Sequence, residues 1–442
     1  VTDEPFLGVP PARVELHRWT HPAVVSVALV AFAAGFGQFG VVAALGHVAK
    51  AFGQVRSQGV TLAEQAGLSG TTLGIGLAVI RLASLGGLPI AAWADRWGRK
   101  RTLLTACTGG LALTAAAAGS PSFWWFVVIF AVGRPALSAT TALSTVMASE
   151  QTASSQRARA VALMAAAYAA GAGLTAVLNS LAGHVLGFRG LFVLALVPLV
   201  ALPAIGRLVR EPDRFIALQA GAEGTATVPV LGAVAKPYRR RLAVICLLAF
   251  AVSVVTGPAN SFTFLYAQNI LHLSGVITAS MVVGSGVLGL VGLLVGRWLA
   301  DAVGRRPAAA GAMVAIVGAG ILAYSGSATA LVAGYMAGVT AGAVFAPGAG
   351  ALVNELMPTS VRATVAGWQV AAGVLGAVCG LVSFGAVATV GNRFSVAAAV
   401  TFLPVVLLTL GFLALPETNG VEPEALWPDV DLPAGGAGGA GR

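Results

Sequence analysis

The stretch Ala94-Asp95-Arg96-Trp97-Gly98-Arg99-Lys100 returns 206 positions later as Ala300-Asp301-Ala302-Val303-Gly304-Arg305-Arg306. Both copies place an acid, a glycine and adjacent bases between two long apolar runs. Further pairs keep nearly the same offset: Glu150 and Arg157 return as Glu355 and Arg362, and Arg210-Glu211 returns as Pro416-Glu417. Only 10% of the residues are charged, so such coincidences are hard to produce by chance. The chain is therefore two related halves, 22–208 and 242–415, joined by a polar segment at 209–241 and flanked by an N-terminal segment at 1–21 and a tail at 416–442. Parallel repeats of this kind mark membrane transporters with the substrate held near the midplane between the halves.

The surrounding composition agrees. Of the 442 residues 57% are hydrophobic, and the mean hydropathy is +0.87. A soluble domain carries roughly 25% charged residues, so most of this surface faces lipid. Apolar runs of about twenty residues suit helices crossing a hydrocarbon core of ~30 Å, not the alternating segments of a barrel. They fall at 22–49, 68–94, 101–119, 122–149, 158–183, 187–208, 242–268, 274–300, 307–325, 328–354, 363–389 and 394–415. The expected fold is an all-α membrane protein with twelve transmembrane helices in two pseudo-symmetric six-helix bundles.

The net charge of +10 is a matter of topology and not of nucleic-acid binding. With the N-terminus inside, twenty Lys and Arg fall in inner segments and four (Lys50, Arg56, Arg189, Arg393) in outer ones. Basic loops resist translocation, so both termini are expected in the cytoplasm of a bacterial-type inner (plasma) membrane. Trp93 and Trp97 at an inner edge and Trp124 and Trp125 at an outer one fit interfacial belts. Cys107, Cys246 and Cys379 read as small core residues. No cleavable signal peptide is expected, nor any metal-ligand spacing, catalytic set or ATP-binding loop. The chain is expected to be a non-enzymatic monomer in the lipid bilayer, acting on a small molecule without a cofactor other than a possible coupling proton.

The Asp95–Arg101 loop and its second copy resemble the signature loop of the major facilitator superfamily, although Ala91 and Arg297 stand where the family places a Gly before the Asp. Asn354–Thr364 and Pro416-Glu417-Thr418-Asn419-Gly420 resemble its sugar-porter and metabolite–proton-symporter branches. The resemblance implies secondary transport by alternating access. It also implies cytoplasmic gating by Asp95, Arg96, Gly98, Arg99, Lys100, Glu150 and Arg157 in one half and Asp301, Gly304, Arg305, Arg306, Glu355 and Arg362 in the other. Such clusters can lock the cytoplasmic ends of the bundles and release them when the bundles rock.

Features present in one half only are the better site candidates. Arg134 and Arg81 lie deep in the fourth and second runs, whereas their repeat counterparts are apolar. A buried Arg costs at least ~2.5–3.5 kcal/mol on insertion scales, so each is a functional candidate by default. Arg134 also resembles the fourth-helix Arg of the superfamily, a residue associated with proton transfer. None of the sixteen acids sits mid-span, so an anionic guest, a carboxylate or phosphate, is the favoured partner. The resemblance puts the first, fourth, seventh and tenth helices around the cavity, where Gln38 and Asn260 occupy matching depths. Asn179, Gln268 and Gln369 are further candidates, and Pro135, Pro258 and Pro347 are expected to soften cavity helices. The competing readings are a proton-coupled multidrug exporter and a membrane sensor or assembly protein that has lost transport.

Overall fold

The computed structural model describes residues 17–55, 62–213, 215–216, 236–358, 361–389, 393–421 and 426–427. Residues 1–16, most of the linker and the end of the tail, including Pro433–Arg442, lie outside the described residues. Helices α1 (Pro22–Ala43), α2 (Gly70–Trp97), α3 (Arg99–Gly119), α4 (Phe123–Gln151), α5 (155–186) and α6 (188–208) form the first bundle. Helices α7 (Tyr238–Ile270), α8 (Gly275–Ala302), α9 (Arg305–Ala323), α10 (Ala328–Leu356), α11 (Thr364–Thr389) and α12 (Phe394–Ala414) form the second.

Two boundaries differ from the expectation. The first run does not extend to 49 as one helix: Ala44 leaves helical dihedrals (φ −89°, ψ 6°), and Leu45–Phe52 follows as a separate helix. Helices α5 and α6 are separated by Gly187 at φ +60°, and α6 is itself interrupted by a turn at Leu194–Ala195. Only a residue without Cβ enters the region that Gly187 occupies cheaply.

Each bundle is sealed by the same device. A Cβ on Gly171 of α5 would sit 2.0 Å from the Phe32 carbonyl oxygen of α1. Its repeat counterpart Gly376 of α11 would sit 2.1 Å from the Phe250 carbonyl oxygen of α7. These backbones touch because no side chain intervenes, which is how helices pack tightly where water supplies no driving force. The residues left outside, such as Val185, Val200, Leu294 and Leu407, are more than two-thirds exposed and form the lipid face. Trp93, Trp97, Trp124 and Trp125 are exposed at its two rims.

The halves meet at the end remote from the signature loops. There α2 lies against α11, with the Thr71 N–H donating to Thr389 Oγ1 at 2.8 Å and the two hydroxyls 2.9 Å apart. On the opposite side of the bundle Gly275 of α8 abuts the Ser180 carbonyl of α5, and Asn269 Nδ2 donates to the Gly46 carbonyl at 3.4 Å. The molecule is closed at this end.

Candidate functional site

At the signature-loop end, the sequence repeat becomes a repeated structure. Gly98 and Gly304 adopt φ +100° and +113° and start α3 and α9 without a side-chain cap of their own. The open N–H groups of each helix start are taken by a carboxylate about 111 residues further along the chain. Glu211 accepts from the N–H of Arg99 at 2.6 Å and of Lys100 at 3.0 Å. Glu417 accepts from Arg305 at 2.9 Å and Arg306 at 3.0 Å. A charge at this position also meets the positive end of the helix dipole.

The arginines then tie each start to the neighbouring helix end. Arg99 pairs with Glu150 and, at 3.1 Å, with Asp95. Arg305 Nε pairs with Glu355 at 2.9 Å, and its Nη1 donates to Asn419 Oδ1 at 2.6 Å. Arg306 Nη1 donates to the Leu415 carbonyl at 3.0 Å, and the Asp301 carbonyl accepts from Asn419 Nδ2 at 3.1 Å. Arg157 and Arg362 bond the carbonyls of Ser149 and Met357. Arg96 stays exposed beside Phe215 and Glu211. Each of these contacts stays within its own half. Through these contacts the clusters brace each bundle internally.

The Glu417 carboxyl titrates below its ordinary range. Burial raises its pKa, but hydrogen bonds from the N–H groups of Asn419, Arg306, Thr418 and Arg305 outweigh that and hold it below the ordinary glutamate value.

Between the halves lies a cavity of about 760 Å³, a volume suited to a small organic ligand. Arg81, Arg134, Gln38 and Tyr168 line it from the first half; Thr256, Asn260, Ser261, Ser285 and Tyr335 line it from the second. Arg134 is only 8% exposed. Its Nη1 donates to the Gln38 carbonyl at 3.2 Å, and its Nε has no hydrogen-bond partner. The Nε of Arg81 is likewise buried without a partner. Val339, the repeat counterpart of Arg134, lines the same cavity, so the positive charge comes from one half only. Among the described residues lining it there is no Asp or Glu.

Gln38 is held by three contacts. Its Nε2 donates to the Leu137 carbonyl at 2.8 Å and Thr141 Oγ1 at 3.0 Å, and its Oε1 accepts from Tyr168 at 3.3 Å. Asn260 donates to the Thr256 carbonyl one turn back and is otherwise open to the cavity. Gln369 lines a second, neighbouring cavity. Asn179 is buried but away from the central cavity, against Gly183 and near His47. Gln268 falls in a single π-turn at Tyr266–Ile270, also outside the cavity. Tyr168, Tyr335, Thr256, Ser261 and Ser285 are polar cavity residues that sequence reasoning missed, the two tyrosines being the most detectable. A phenol inside an apolar run was the available signal, since the chain has five tyrosines.

Pro258 has no N–H to give the Val254 carbonyl one turn back. That oxygen points at Gly380 of α11, while Tyr324 donates to the Ala259 carbonyl at 3.1 Å.

Comparison with known proteins places this geometry. The model of the Major Facilitator Superfamily matches residues 27–299, and that of the Sugar (and other) transporter family matches residues 224–426. No curated protein matches significantly. Among solved structures the chain is similar to the nucleoside transporter NupG, with TM-score 0.71 and 15% identity, over 89% of this chain and 99% of that one. It is similar to a bacterial homolog of the human lysosomal transporter Spinster in an inward-facing and occupied conformation, with TM-score 0.69 and 15% identity, over 89% and 97%. A D-xylose–proton symporter gives TM-score 0.69 and 19% identity over 91% and 99%. With the family model matching more than half of its length, two six-helix bundles and a cavity between them, the chain belongs to the major facilitator superfamily of membrane transporters.

Proposed function

We propose that this transporter is a secondary carrier that moves a small organic anion by alternating access, with Arg134 and Arg81 as the anion-binding groups. The observation that carries the reading is a deeply buried Arg134 beside Arg81, both with an unpartnered Nε, in a cavity with no acidic lining residue. Leaving such charges uncompensated is costly, and a carboxylate or phosphate offers the charge-assisted bonds they lack. The Gln38–Tyr168–Thr141 network holds the wall around Arg134 in one geometry.

The distribution of basic residues favours a cytoplasmic position for the signature-loop end and both termini. The closed contact at Thr71 and Thr389 is then periplasmic, and the state is inward-facing. An acid-free cavity favours exchange of one anion for another over proton symport. Any coupling proton would have to use Asp95, Glu150 or Glu355, outside the cavity.

A thermal-shift screen of the purified protein tests the reading. A ligand at about a hundred times its dissociation constant adds ~2.7 kcal/mol of stability. Carboxylates or phosphates should raise the melting temperature of the wild type and not of Arg134→Gln. Stabilisation by lipophilic cations alone would instead support the multidrug-exporter reading.

A further inference from the structure

A second cavity of about 350 Å³ opens within the C-terminal half, nearer the signature-loop end than the first. Arg81 lines both, so its side chain borders the two cavities. Beyond that residue the walls are apolar: Ile245 and Leu248 from α7, Phe345 and Leu352 from α10, Val374 from α11 and Phe412 from α12. The rings of Phe345 and Phe412 stand edge to face, 6.5 Å apart at 76°. Ser253 and Gln369 are the polar exceptions, and Arg81 is the one charged residue among the described lining.

A solute that is polar on every side, such as a sugar, matches only the part of the central cavity around Gln38, Tyr168, Asn260 and Tyr335, and not this second space. Its hydroxyls would lose water against Leu, Ile and Phe and find no partners. An apolar chain gains from the same walls, and a negative head at its end meets Arg81, which borders both cavities. We propose that the second cavity holds the apolar tail of an amphipathic organic anion whose head is bound by Arg81 and Arg134. The substrate class is thereby an organic anion carrying a flexible hydrocarbon tail, for which monocarboxylates serve as the probes. The inference rests on the anion reading of the central cavity and adds the tail to it.

The test is a calorimetric titration of the full chain in lipid nanodiscs, with empty nanodiscs as blank. The probes are straight-chain monocarboxylates from propionate to octanoate, with octylammonium as the opposite charge at equal length. Each buried methylene should raise affinity roughly three- to fourfold, and octylammonium should not bind. The octanoate-to-propionate affinity ratio should collapse in Ala349→Phe, which fills the second cavity, and independently in Ala249→Leu. Because the ratio is read within each protein, partial loss of folded protein cannot imitate its collapse. If neither filled variant folds, the wild-type slope decides alone. A flat wild-type series overturns the tail assignment while leaving the anion reading standing, and a ratio unchanged in both variants overturns it too. Equal binding of octylammonium and octanoate overturns the assignment of the head to the arginines. Failure of every carboxylate to bind removes the tail assignment, and the anion reading falls with it if phosphates also leave the melting temperature unchanged.

Discussion

Replacing Glu417 with Gln keeps the shape of the side chain and removes its charge. In the wild type its two oxygens accept from the first N–H groups of α9, Arg305 and Arg306, at 2.9 and 3.0 Å, and from Thr418 and Asn419 at 3.0 Å. A Gln amide presents one acceptor and one donor, so at least one helix N–H faces an NH₂ group and loses its partner. Loss of a side-chain cap at a helix start costs ~0.5–2 kcal/mol, and the partial exposure of this site places the expected loss near ~1 kcal/mol. In a chain of this size that lowers the melting temperature by roughly 2–4 °C at most. The assay is tryptophan-fluorescence melting of wild type and variant in detergent across pH.

The direction of the pH effect follows from the depressed carboxyl. The folded pKa lies below the ordinary value, so the stabilisation is fully present above the unfolded glutamate pKa of ~4.3 and is lost as pH falls through the folded value. Wild type and Glu417→Gln should therefore differ at pH 7 and converge in strong acid. A difference that is absent at pH 7, or that persists undiminished when the wild-type carboxyl is protonated, refutes the capping argument.

Other consequences are as direct. Gly171→Ala and Gly376→Ala each force a Cβ onto a carbonyl oxygen and should destabilise by ~1–3 kcal/mol in melting experiments. Gly173→Ala, with nothing within 4 Å of the new methyl, should be neutral in the same measurement. In a background free of the three native cysteines, Thr71→Cys with Thr389→Cys should cross-link on oxidation, because the parent hydroxyls are 2.9 Å apart. The cross-link should stop transport until a reductant is added. Gln38→Ala frees Tyr168 and leaves the Leu137 carbonyl with Thr141 Oγ1 at 3.1 Å as donor, and should weaken anion binding several-fold without abolishing it.

What sequence reasoning could reach follows the range of the interactions. Spans were legible because each buries its own backbone bonds, so run length and loop charge suffice. Arg134 and Arg81 were legible because a charge in an apolar run is expensive wherever it points. The caps were half legible: the Glu211–Glu417 repeat is visible in the chain, but the role depends on a partner about 111 residues away. The break at Ala44 carries no Pro, though the chain turns less apolar beyond it at Gly46, His47 and Lys50; it accompanies packing of Gly46 against Asn269 from the other half. Asn179 and Gln268 show the limit most plainly. Both are amides in apolar runs, yet the rotational setting of their helices turns them away from the central cavity, and that setting is fixed by tertiary contacts. The signature clusters likewise announced their charges but not whether these join the two halves.

Counterflow uptake in proteoliposomes tests the central claim most directly. Vesicles loaded with unlabelled carboxylate and diluted into a trace of the labelled compound should accumulate label when they hold the wild type. Arg134→Gln should abolish that accumulation, whereas Arg134→Lys should retain part of it, since the charge remains without the guanidinium fork. Accumulation of sugars or cations in place of carboxylates, at a rate indifferent to Arg134→Gln, would contradict the account.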